Sequence, residues 1–449
     1  MGKLIDYYHN LDLKRFILYV CIFSFVIRLA FVFFKGDFEN PKMWEHGDTA
    51  RYMLAGHGYT MHWPYRAIDE ARHELKQDPP PYVGSFMPPL NPYFIYLNFK
   101  VFGDNTKAYT SLFLFNVLFG TIAVYLSFLI ARLLFNDDAA KIAAILAAIF
   151  LPAIVGTVTF SGSQMYQMLA LAAIYYLIKY IKFSKSHDIM IAGLLCGLQT
   201  LVRSEFFALS FALIFAAVLV NYWRTRNKKF IFNLILAFVA FAAVVGPWTY
   251  RNYQLYDKFI PVVTHPWHEI WRGNNIFASG GARNADGRHV WLDGHNDYSV
   301  AHRLDSLPLD TRFEIAADSI FRDEAIHYWK NNPKKAILNS LLRVVSLWAI
   351  DYTSPEIHNP IYIFFVFIIT IPVLYAFAYS IRKDGLLRNP NVIFLLFALF
   401  YTVLILTVNF IIRYQIYFLT VMLPVSSYGI YLISQKLIEK YKPKKLIKN

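Results

Sequence analysis

The sequence has few cysteines and few charged residues for its length. The two cysteines, Cys21 and Cys196, lie inside apolar runs, so they provide neither a disulfide framework nor a thiolate metal cluster. Only 16% of the 449 residues are charged, whereas soluble globular domains average about 25%. With 57% hydrophobic residues, the composition favours a membrane protein over a soluble one.

The charges that are present have an excess of basic residues, with a formal net charge of +14. Such an excess is also typical of nucleic-acid-binding proteins. Here, however, lysine and arginine are largely confined to short segments between apolar runs, as the positive-inside rule of membrane proteins requires. We therefore expect membrane lipids, and no nucleic acid, as partners.

The apolar runs indicate the fold class. A membrane helix needs about 20 predominantly apolar residues, and ten runs approach that length. They predict an all-α polytopic membrane protein with about ten transmembrane helices, forming one domain over 1–449 without a separate soluble C-terminal domain. The runs are 16–34, 108–131, 140–159, 164–181, 189–202, 205–222, 230–248, 360–381, 391–410 and 414–434.

The basic residues between the runs predict the orientation. With the N-terminus in the cytoplasm, every short basic connection lies on the cytoplasmic side, and so does the lysine-rich tail. Two long polar segments, 35–107 and 249–359, then form extracytoplasmic loops. We expect a multi-pass protein of the plasma (inner) membrane with both termini cytoplasmic and its active site on the opposite side.

Charged residues that look functional gather on this extracytoplasmic side. Charges beside a bilayer are costly to hold in place and by default suggest a site. The stretch Trp44–Tyr52 directly follows the first apolar run, although an ordinary solvated loop is the alternative there. The charged residues are Asp48, Arg51, Arg203, Glu205, Arg251 and Arg413.

The chemistry of these residues fits group transfer from a lipid. An extracytoplasmic transferase has no ATP or nucleotide sugar, so its activated donor must arrive through the membrane, for example as a lipid-linked phosphate. Arginine binds phosphate through paired, charge-assisted hydrogen bonds. Transfer to a hydroxyl needs a base. Asp48 is the first candidate, and Glu205 is the second unless it only pairs with Arg203.

Several segments in order resemble GT-C glycosyltransferases of the protein O-mannosyltransferase and lipid A aminoarabinose transferase type, over about 16–434. The first loop matches at Gly47-Asp48-Thr49-Ala50-Arg51-Tyr52 and Gly56-His57-Gly58-Tyr59. Further matches are Pro88-Pro89-Leu90-Asn91-Pro92, Leu201-Val202-Arg203-Ser204-Glu205, Pro247-Trp248-Thr249-Tyr250-Arg251-Asn252, Trp271-Arg272-Gly273-Asn274-Asn275 and Arg413-Tyr414-Gln415.

The resemblance implies a GT-C fold and transfer of a sugar, with inversion, from an undecaprenyl- or dolichyl-phosphate donor to a lipid, glycan or protein acceptor. It also implies that Asp48 is the general base. Two departures concern the acceptor and the binding of phosphate: Thr49 stands where relatives often have a second acid, and Met87 where aminoarabinose transferases have lysine. The predicted donor-phosphate and substrate-binding residues are Arg51, Tyr52, Arg203, Glu205, Arg251 and Arg413.

No cofactor and no metal site are predicted. The alternative is a divalent metal bound by histidines of the first loop, but their spacing matches no compact ligand pattern. Those histidines are His46, His57, His62 and His73. In the second loop, we expect His265 and His268 to form hydrogen bonds with loop backbone.

Local patterns inside the two loops predict further helices. Tyr93–Val101 is too short to span a bilayer but long enough for a helix in the interface. Residues 312–331 have alternating charged and apolar positions typical of a helix. The apolar segment 336–351, with Arg343 at its centre, is compatible with an interfacial helix or with a further span.

Two other functions compete with the glycosyltransferase prediction. A transporter or flippase for lipid-linked glycans is expected to have charges in the middle of its spans, broken helices and two related halves. Mid-span charges are scarce here, and no halves are visible. A non-catalytic membrane scaffold leaves the clustering of acid and arginines on one side unexplained.

Overall fold

In the computed structural model, the protein is described at residues 12–60, 83–226, 228–281, 283, 298–308, 310–385 and 391–441. His62 and His73, two of the four histidines weighed above for a metal, lie outside these residues.

Each of the ten predicted apolar runs forms a helix or a pair of helices. Several begin at asparagine or aspartate side chains that accept a hydrogen bond from the first turn, as Asn105 does from the backbone of Lys107. Up to the first loop and its return to the membrane, the helices are α1 (Leu13–Lys35), α2 (Trp44–Leu54), α3 (Leu90–Phe102) and α4 (Thr106–Leu134).

The middle of the chain continues with α5 (Asp137–Ile149), α6 (Leu151–Val155), α7 (Ser163–Phe183), α8 (Ser186–Val202), α9 (Phe206–Thr225) and α10 (Phe230–Tyr256). The second loop contains α11 (Pro266–Arg272), α12 (Tyr298–Asp305), α13 (Phe313–Asn331) and α14 (Pro333–Trp348). The chain ends with α15 (Pro360–Asp384), α16 (Val392–Thr407) and α17 (Ile412–Tyr441).

The predicted count of ten spans is not confirmed. Among the described residues, six helices are long and apolar enough to cross a membrane: α1, α4, α9, α10, α15 and α17. The bent pair of α5 and α6 makes a seventh if it is one span. The remaining runs form α8 and α16, which are shorter apolar helices, and α7, whose glutamines, lysines and tyrosines lower its hydropathy.

Arg28 is a charged residue in the middle of α1, and its contacts explain its position. α5 and α6 meet at a bend of 47°, which leaves carbonyl groups at the end of α5 without partners in their own helix. The buried Arg28 guanidinium donates to two of them, Ala147 O at 3.2 Å and Ala148 O at 3.3 Å. The charged side chain in the middle of α1 therefore supplies the hydrogen-bond donors that these carbonyl groups lack.

The two long loops pack together at one end of the bundle. Phe86 of the first loop lies in an apolar cluster with Trp271 of α11 and with Phe313 and Phe321 of α13. α11 also packs on α13, and α2 packs on α3. The loops thus form a folded layer over the membrane helices.

The segments of these loops that were predicted to be helical form helices. α3 contains the predicted interfacial segment, and α13 corresponds to 312–331. The undecided segment 336–351 forms most of α14, a helix of 16 residues that is not among the candidate spans.

Candidate active site

The first component of the site is α2, the short helix that contains Asp48. His46, Gly47, Thr49 and Ala50 are buried, whereas the Asp48 side chain is 46% exposed. Successive residues are turned by about 100° around a helix axis, so His46 and Asp48 project from well-separated sides of α2. One side faces the interior through His46, and the other presents the Asp48 carboxylate.

The exposed side of α2 has its own charge network. Arg51 contacts Asp48 at 3.3 Å and Asp104 at 2.8 Å, and Tyr109 donates a hydrogen bond to Asp104 at 2.6 Å. Burial and the charge of Asp48 raise the pKa of Tyr52 to about 12. Asp48 is therefore oriented by Arg51 while remaining accessible.

A second component is formed by Arg203 and Glu205, between α8 and α9. They form an ion pair at 2.9 Å with little exposure of either side chain. The guanidinium also lies 5.3 Å from the ring centres of Tyr414 and Tyr417 of α17, a cation–π arrangement. Burial alone would lower the pKa of Arg203, but Glu205 and the tyrosines outweigh it and the pKa is raised.

Arg413, at the start of α17, and the buried His46 extend this cluster. Burial, followed by the positive charges of Arg413 and Arg203, lowers the pKa of His46 to about 3. His46 is therefore a neutral imidazole at physiological pH. Its Nδ1 and the Nε of Arg413 are buried without a hydrogen-bond partner.

α11 contributes another ion pair, Glu269 with Arg272 at 2.9 Å. Burial would raise the pKa of Glu269, but Arg272, His265 and Arg413 together lower it, so the carboxylate is ionised. Counted together, the guanidinium groups of Arg203, Arg272 and Arg413 exceed the two carboxylates of the cluster by one positive charge. Because His46 is neutral, it does not change that balance.

Asp318 of α13 fixes the position of α11. Its carboxylate accepts hydrogen bonds from the backbone N–H groups of Trp267 at 2.9 Å and His268 at 3.0 Å. These N–H groups belong to the first turn of a helix and have no partner within it. Burial raises the pKa of Asp318 to about 7 against the effect of these donors.

Arg251 lies in a neighbouring network that joins the two loops. It donates to Ser85 Oγ at 2.5 Å and to Asn252 Oδ1 at 3.0 Å, and its guanidinium lies 4.5 Å from the ring centre of Trp248. The buried Glu314 accepts hydrogen bonds from Ser85 N at 2.8 Å and from a threonine hydroxyl, Thr264 Oγ1, at 2.6 Å.

This network continues to α11 through a ring contact. Phe86, next to Ser85, stacks on His265 with ring centres 3.9 Å apart. The Nη2 of Arg251 is buried and has no hydrogen-bond partner. Arg251 is therefore held beside the cluster of α11 with one donor uncommitted.

The predicted site residues fall into three groups. Arg203, Glu205 and Arg413 come together around His46. Arg251 belongs to the adjacent Ser85 network. Arg51 and Tyr52 lie beside Asp48 on the accessible side of α2. The roles assigned to all seven residues from sequence stay predictions.

Sequence reasoning missed Glu269, Arg272 and Glu314 as members of the site, and it treated His46 only as a metal ligand. Glu269 and Arg272 are three residues apart on a helix, a spacing that favours ion pairs and was a usable signal. Glu314 carried no comparable signal, because its burial depends on contact between the two loops.

One group of side chains has a composition suited to a metal ion: His265, His268 and Glu269, whose ligand atoms lie within 4.8 Å of one another. The Nδ1 of His265 is buried without a hydrogen-bond partner, so the predicted bond to loop backbone is not formed there. Glu269, however, is already paired with Arg272 and lies in the field of Arg413. These two positive charges oppose binding of a divalent cation.

Residues 87–250 match the family described as dolichyl-phosphate-mannose-protein mannosyltransferase. The matched segment is a little over a third of the chain and includes Arg203 and Glu205. No match was found among curated proteins.

Two solved structures of an archaeal oligosaccharyltransferase, AglB from Archaeoglobus fulgidus, are similar in fold. The complex with an inhibitory peptide and a dolichol-phosphate has a TM-score of 0.56 at 14% identity, covering 96% of this chain and 53% of AglB. The complex with Zn and sulfate has a TM-score of 0.51 at 16% identity, covering 95% and 50%. The chain has the GT-C glycosyltransferase fold.

The chain spans about half the length of AglB. ArnT from Cupriavidus metallidurans, solved with undecaprenyl phosphate, has a TM-score of 0.40 at 13% identity, covering 96% of this chain and 81% of ArnT; that likeness is too low to support an argument. The predicted fold class is confirmed: the chain has the GT-C fold, and its apolar helices are those of a multi-pass membrane protein.

Proposed function

We propose that this GT-C protein transfers a sugar from a polyprenyl-phosphate donor to a hydroxyl group on the extracytoplasmic side of the membrane, with inversion at the anomeric carbon. The donor phosphate binds between Arg203 and Arg413, with Arg251 beside them. Asp48 is the general base. The acceptor is a lipid, a glycan or a protein.

The observation that carries this proposal is the excess positive charge around Arg203 and Arg413. Arg203 lies between α8 and α9, three residues before the start of α9, and Arg413 lies in the first turn of α17; α9 and α17 are both candidate spans. The two guanidinium groups therefore lie at the same boundary where a lipid phosphate meets the hydrocarbon. A desolvated cluster with a surplus of guanidinium is complementary to a phosphate monoester or diester.

In the proposed reaction, Asp48 on the exposed side of α2 acts on the acceptor, and the arginines around His46 on the other side bind the donor phosphate. Asp48 takes the proton of the acceptor hydroxyl as its oxygen forms a bond to the anomeric carbon. The bond from that carbon to the phosphate oxygen breaks on the opposite face, and the lipid phosphate leaves with the electron pair. The arginines stabilise the charge that develops on this leaving group.

Two comparisons support the donor class. The matched family is described by a dolichyl-phosphate mannose donor, and AglB was solved with a dolichol-phosphate. The membrane orientation rests on the distribution of basic residues, which puts the site outside and both termini inside.

The rival function, a flippase of lipid-linked glycans, predicts mid-span charges and broken helices. One of each is present, the charge of Arg28 within α1 and the break between α5 and α6, but they form hydrogen bonds with each other. Arg28 donates to the carbonyl groups at the break, so the charge and the break account for each other without a transport path.

The test is transfer by the purified chain with radiolabelled polyprenyl-phosphate mannose and a panel of acceptors. Asp48→Asn keeps the size of the side chain but removes the base, and we expect it to lower the rate by about 10³-fold. The matched control is Asp104→Asn, which removes the other carboxylate that contacts Arg51 and is expected to cost far less.

Thermal unfolding of both variants should resemble that of the native chain, because Asp48 is half exposed. An active Asp48→Asn enzyme rejects the assigned base. An equal loss of transfer rate in both variants would mean that the effect comes from the orientation of Arg51 and not from removal of a base. Failure of the native chain to consume this donor and other polyprenyl-phosphate sugars rejects the donor class.

A further inference from the structure

A cavity of about 770 Å³ lies among the C-terminal ends of the membrane helices and is separate from the candidate active site. Its lining comes from α4, α7, α9, α15 and α17. On α17, the lining residue Lys436 is 23 positions beyond Arg413. At 1.5 Å per residue the two are about 35 Å apart, comparable to the thickness of the hydrocarbon core. The cavity is therefore at the opposite membrane boundary.

The charges that line this cavity are mostly of one sign. Four are basic, namely Lys182, Arg224, Lys383 and Lys436, and one is acidic, Glu439. They come from four different helices, so their convergence is a product of the fold and not of a local run of lysines. Like charges brought together at the edge of a membrane are costly unless an anion neutralises them.

Aromatic residues hold two of the lysines at the cavity. The Lys436 ammonium lies 5.1 Å from the ring centre of Tyr375, and the Lys383 ammonium lies 5.8 Å from that of Tyr379. The hydroxyl group of Tyr375 is buried without a hydrogen-bond partner. The cavity thus offers ammonium groups and a hydroxyl donor, the set that recognises a phosphate.

The surroundings indicate that this phosphate belongs to a lipid. Close in sequence to lining residues of the cavity, α15 exposes Leu374 and Ile381, and α17 exposes Leu437 and Ile438. The two helices that contribute Lys383 and Lys436 therefore also offer exposed apolar side chains to acyl chains. Basic pockets between membrane helices are a known arrangement for acidic lipid head groups.

We propose that this cavity binds the phosphate-bearing head group of an anionic membrane lipid, with its acyl chains lying along α15 and α17. The site is independent of the transfer reaction. Its occupation ties together the ends of five helices, four of which contribute the basic side chains that the phosphate neutralises.

The test is native mass spectrometry of the full, delipidated chain in detergent, titrated with phosphatidylglycerol or with phosphatidylcholine of the same acyl chains. We expect phosphatidylglycerol to bind about tenfold more tightly. The double variant Lys383→Gln/Lys436→Gln should lose about tenfold in affinity for phosphatidylglycerol, with little change for phosphatidylcholine. Both lysines are exposed, so the fold should tolerate their replacement.

The matched control is Lys14→Gln/Arg15→Gln, which removes the same charge from exposed positions at the start of α1 and should leave binding unchanged. Tyr375→Phe removes only the buried hydroxyl and should weaken phosphatidylglycerol binding by a few-fold. This single variant still tests phosphatidylglycerol binding if the double variant does not fold.

Equal binding of the two lipids overturns the proposal, as does an equal loss in the control pair. A final arm adds inorganic phosphate at millimolar concentration. Displacement of phosphatidylglycerol by inorganic phosphate assigns the cavity to a soluble anion and overturns the lipid assignment, whereas retention of the lipid supports it.

Discussion

Arg343 of α14 and the arginines of the candidate site use their hydrogen-bond donors in opposite ways. Arg343 of α14 is 1% exposed and donates to the carbonyl groups of Gly273, Ile405 and Leu406. Its Nη2 also reaches the side chains of Ser340 and Asn274. Every donor nitrogen of Arg343 therefore has a partner within the protein.

The arginines of the candidate site are less completely bonded. Arg413 has a buried Nε, and Arg251 a buried Nη2, without a hydrogen-bond partner. A buried arginine in a membrane protein is thus no evidence of function by itself. Arg413 and Arg251 differ from Arg343 because each leaves a donor uncommitted at the candidate site.

The largest effect is expected at Arg343. Arg343→Gln leaves several buried carbonyl groups without donors, each costing about 1–3 kcal/mol, and we expect a total loss of about 3–5 kcal/mol of unfolding free energy. Thermal unfolding in detergent measures it. If Arg343→Gln unfolds like the native chain, the assignment of this arginine to structure fails.

A smaller effect on a different property is expected at Arg413. Arg413→Gln should weaken binding of undecaprenyl phosphate by about 10- to 30-fold, as for the loss of a charge-assisted hydrogen bond. Its thermal unfolding should change little, because Arg413 is only partly buried and not fully bonded. Binding is measured by native mass spectrometry with this lipid, independently of the sugar.

The control for Arg413 is Arg322→Gln, the same substitution at an exposed ion pair of α13, which should leave binding intact. Unchanged affinity in Arg413→Gln, or a fall in stability as large as that of Arg343→Gln, would remove the distinction between the two regions.

The smallest effect concerns the burial of His46, which together with the positive charges of Arg413 and Arg203 keeps the imidazole neutral. The folded pKa of His46 is about 3, below its usual 6.5, so the folded state binds this proton less readily than the unfolded state. Its contribution to stability is complete above pH 6.5 and is lost as the pH falls towards 3. From pH 7 to 5.5 the loss is about 1.3 kcal/mol.

Unfolding of the native chain and of His46→Gln at several pH values measures this contribution. The variant should lose less stability on acidification over that interval, because glutamine does not titrate. Parallel pH profiles of the two proteins would show that the pKa of His46 is not lowered in the folded state.

The sequence was a good guide to the helices and a partial guide to the site. Apolar runs are local features, and each of them forms a helix. Which of these cross the membrane is less local: α7 is interrupted by Gln164 and Gln167, which are buried against other helices. Burial by neighbouring protein relaxes the demand for apolar residues, and hydropathy does not detect it.

For the site, spacing along the chain indicated Arg203 with Glu205, which are two residues apart and form an ion pair. It did not indicate that His46, two residues before Asp48, turns towards that pair while Asp48 does not. Nor did it indicate that the pKa of Glu269, lowered mainly by Arg272 and His265, is also lowered by Arg413 more than a hundred residues away. These contacts arise from packing between loops and spans.

The bond between Arg28 and the end of α5 has a consequence for biogenesis. The first span enters the membrane with a guanidinium whose carbonyl partner Ala147 is synthesised 119 residues later. Until then only Ser24, one turn away on the same helix, is available to it. The hydrogen bonds of Arg28 can therefore be completed only after the broken helix has been synthesised. A fusion that replaces α1 with an unrelated membrane anchor would preserve the topology but leave the end of α5 without a donor in hydrocarbon.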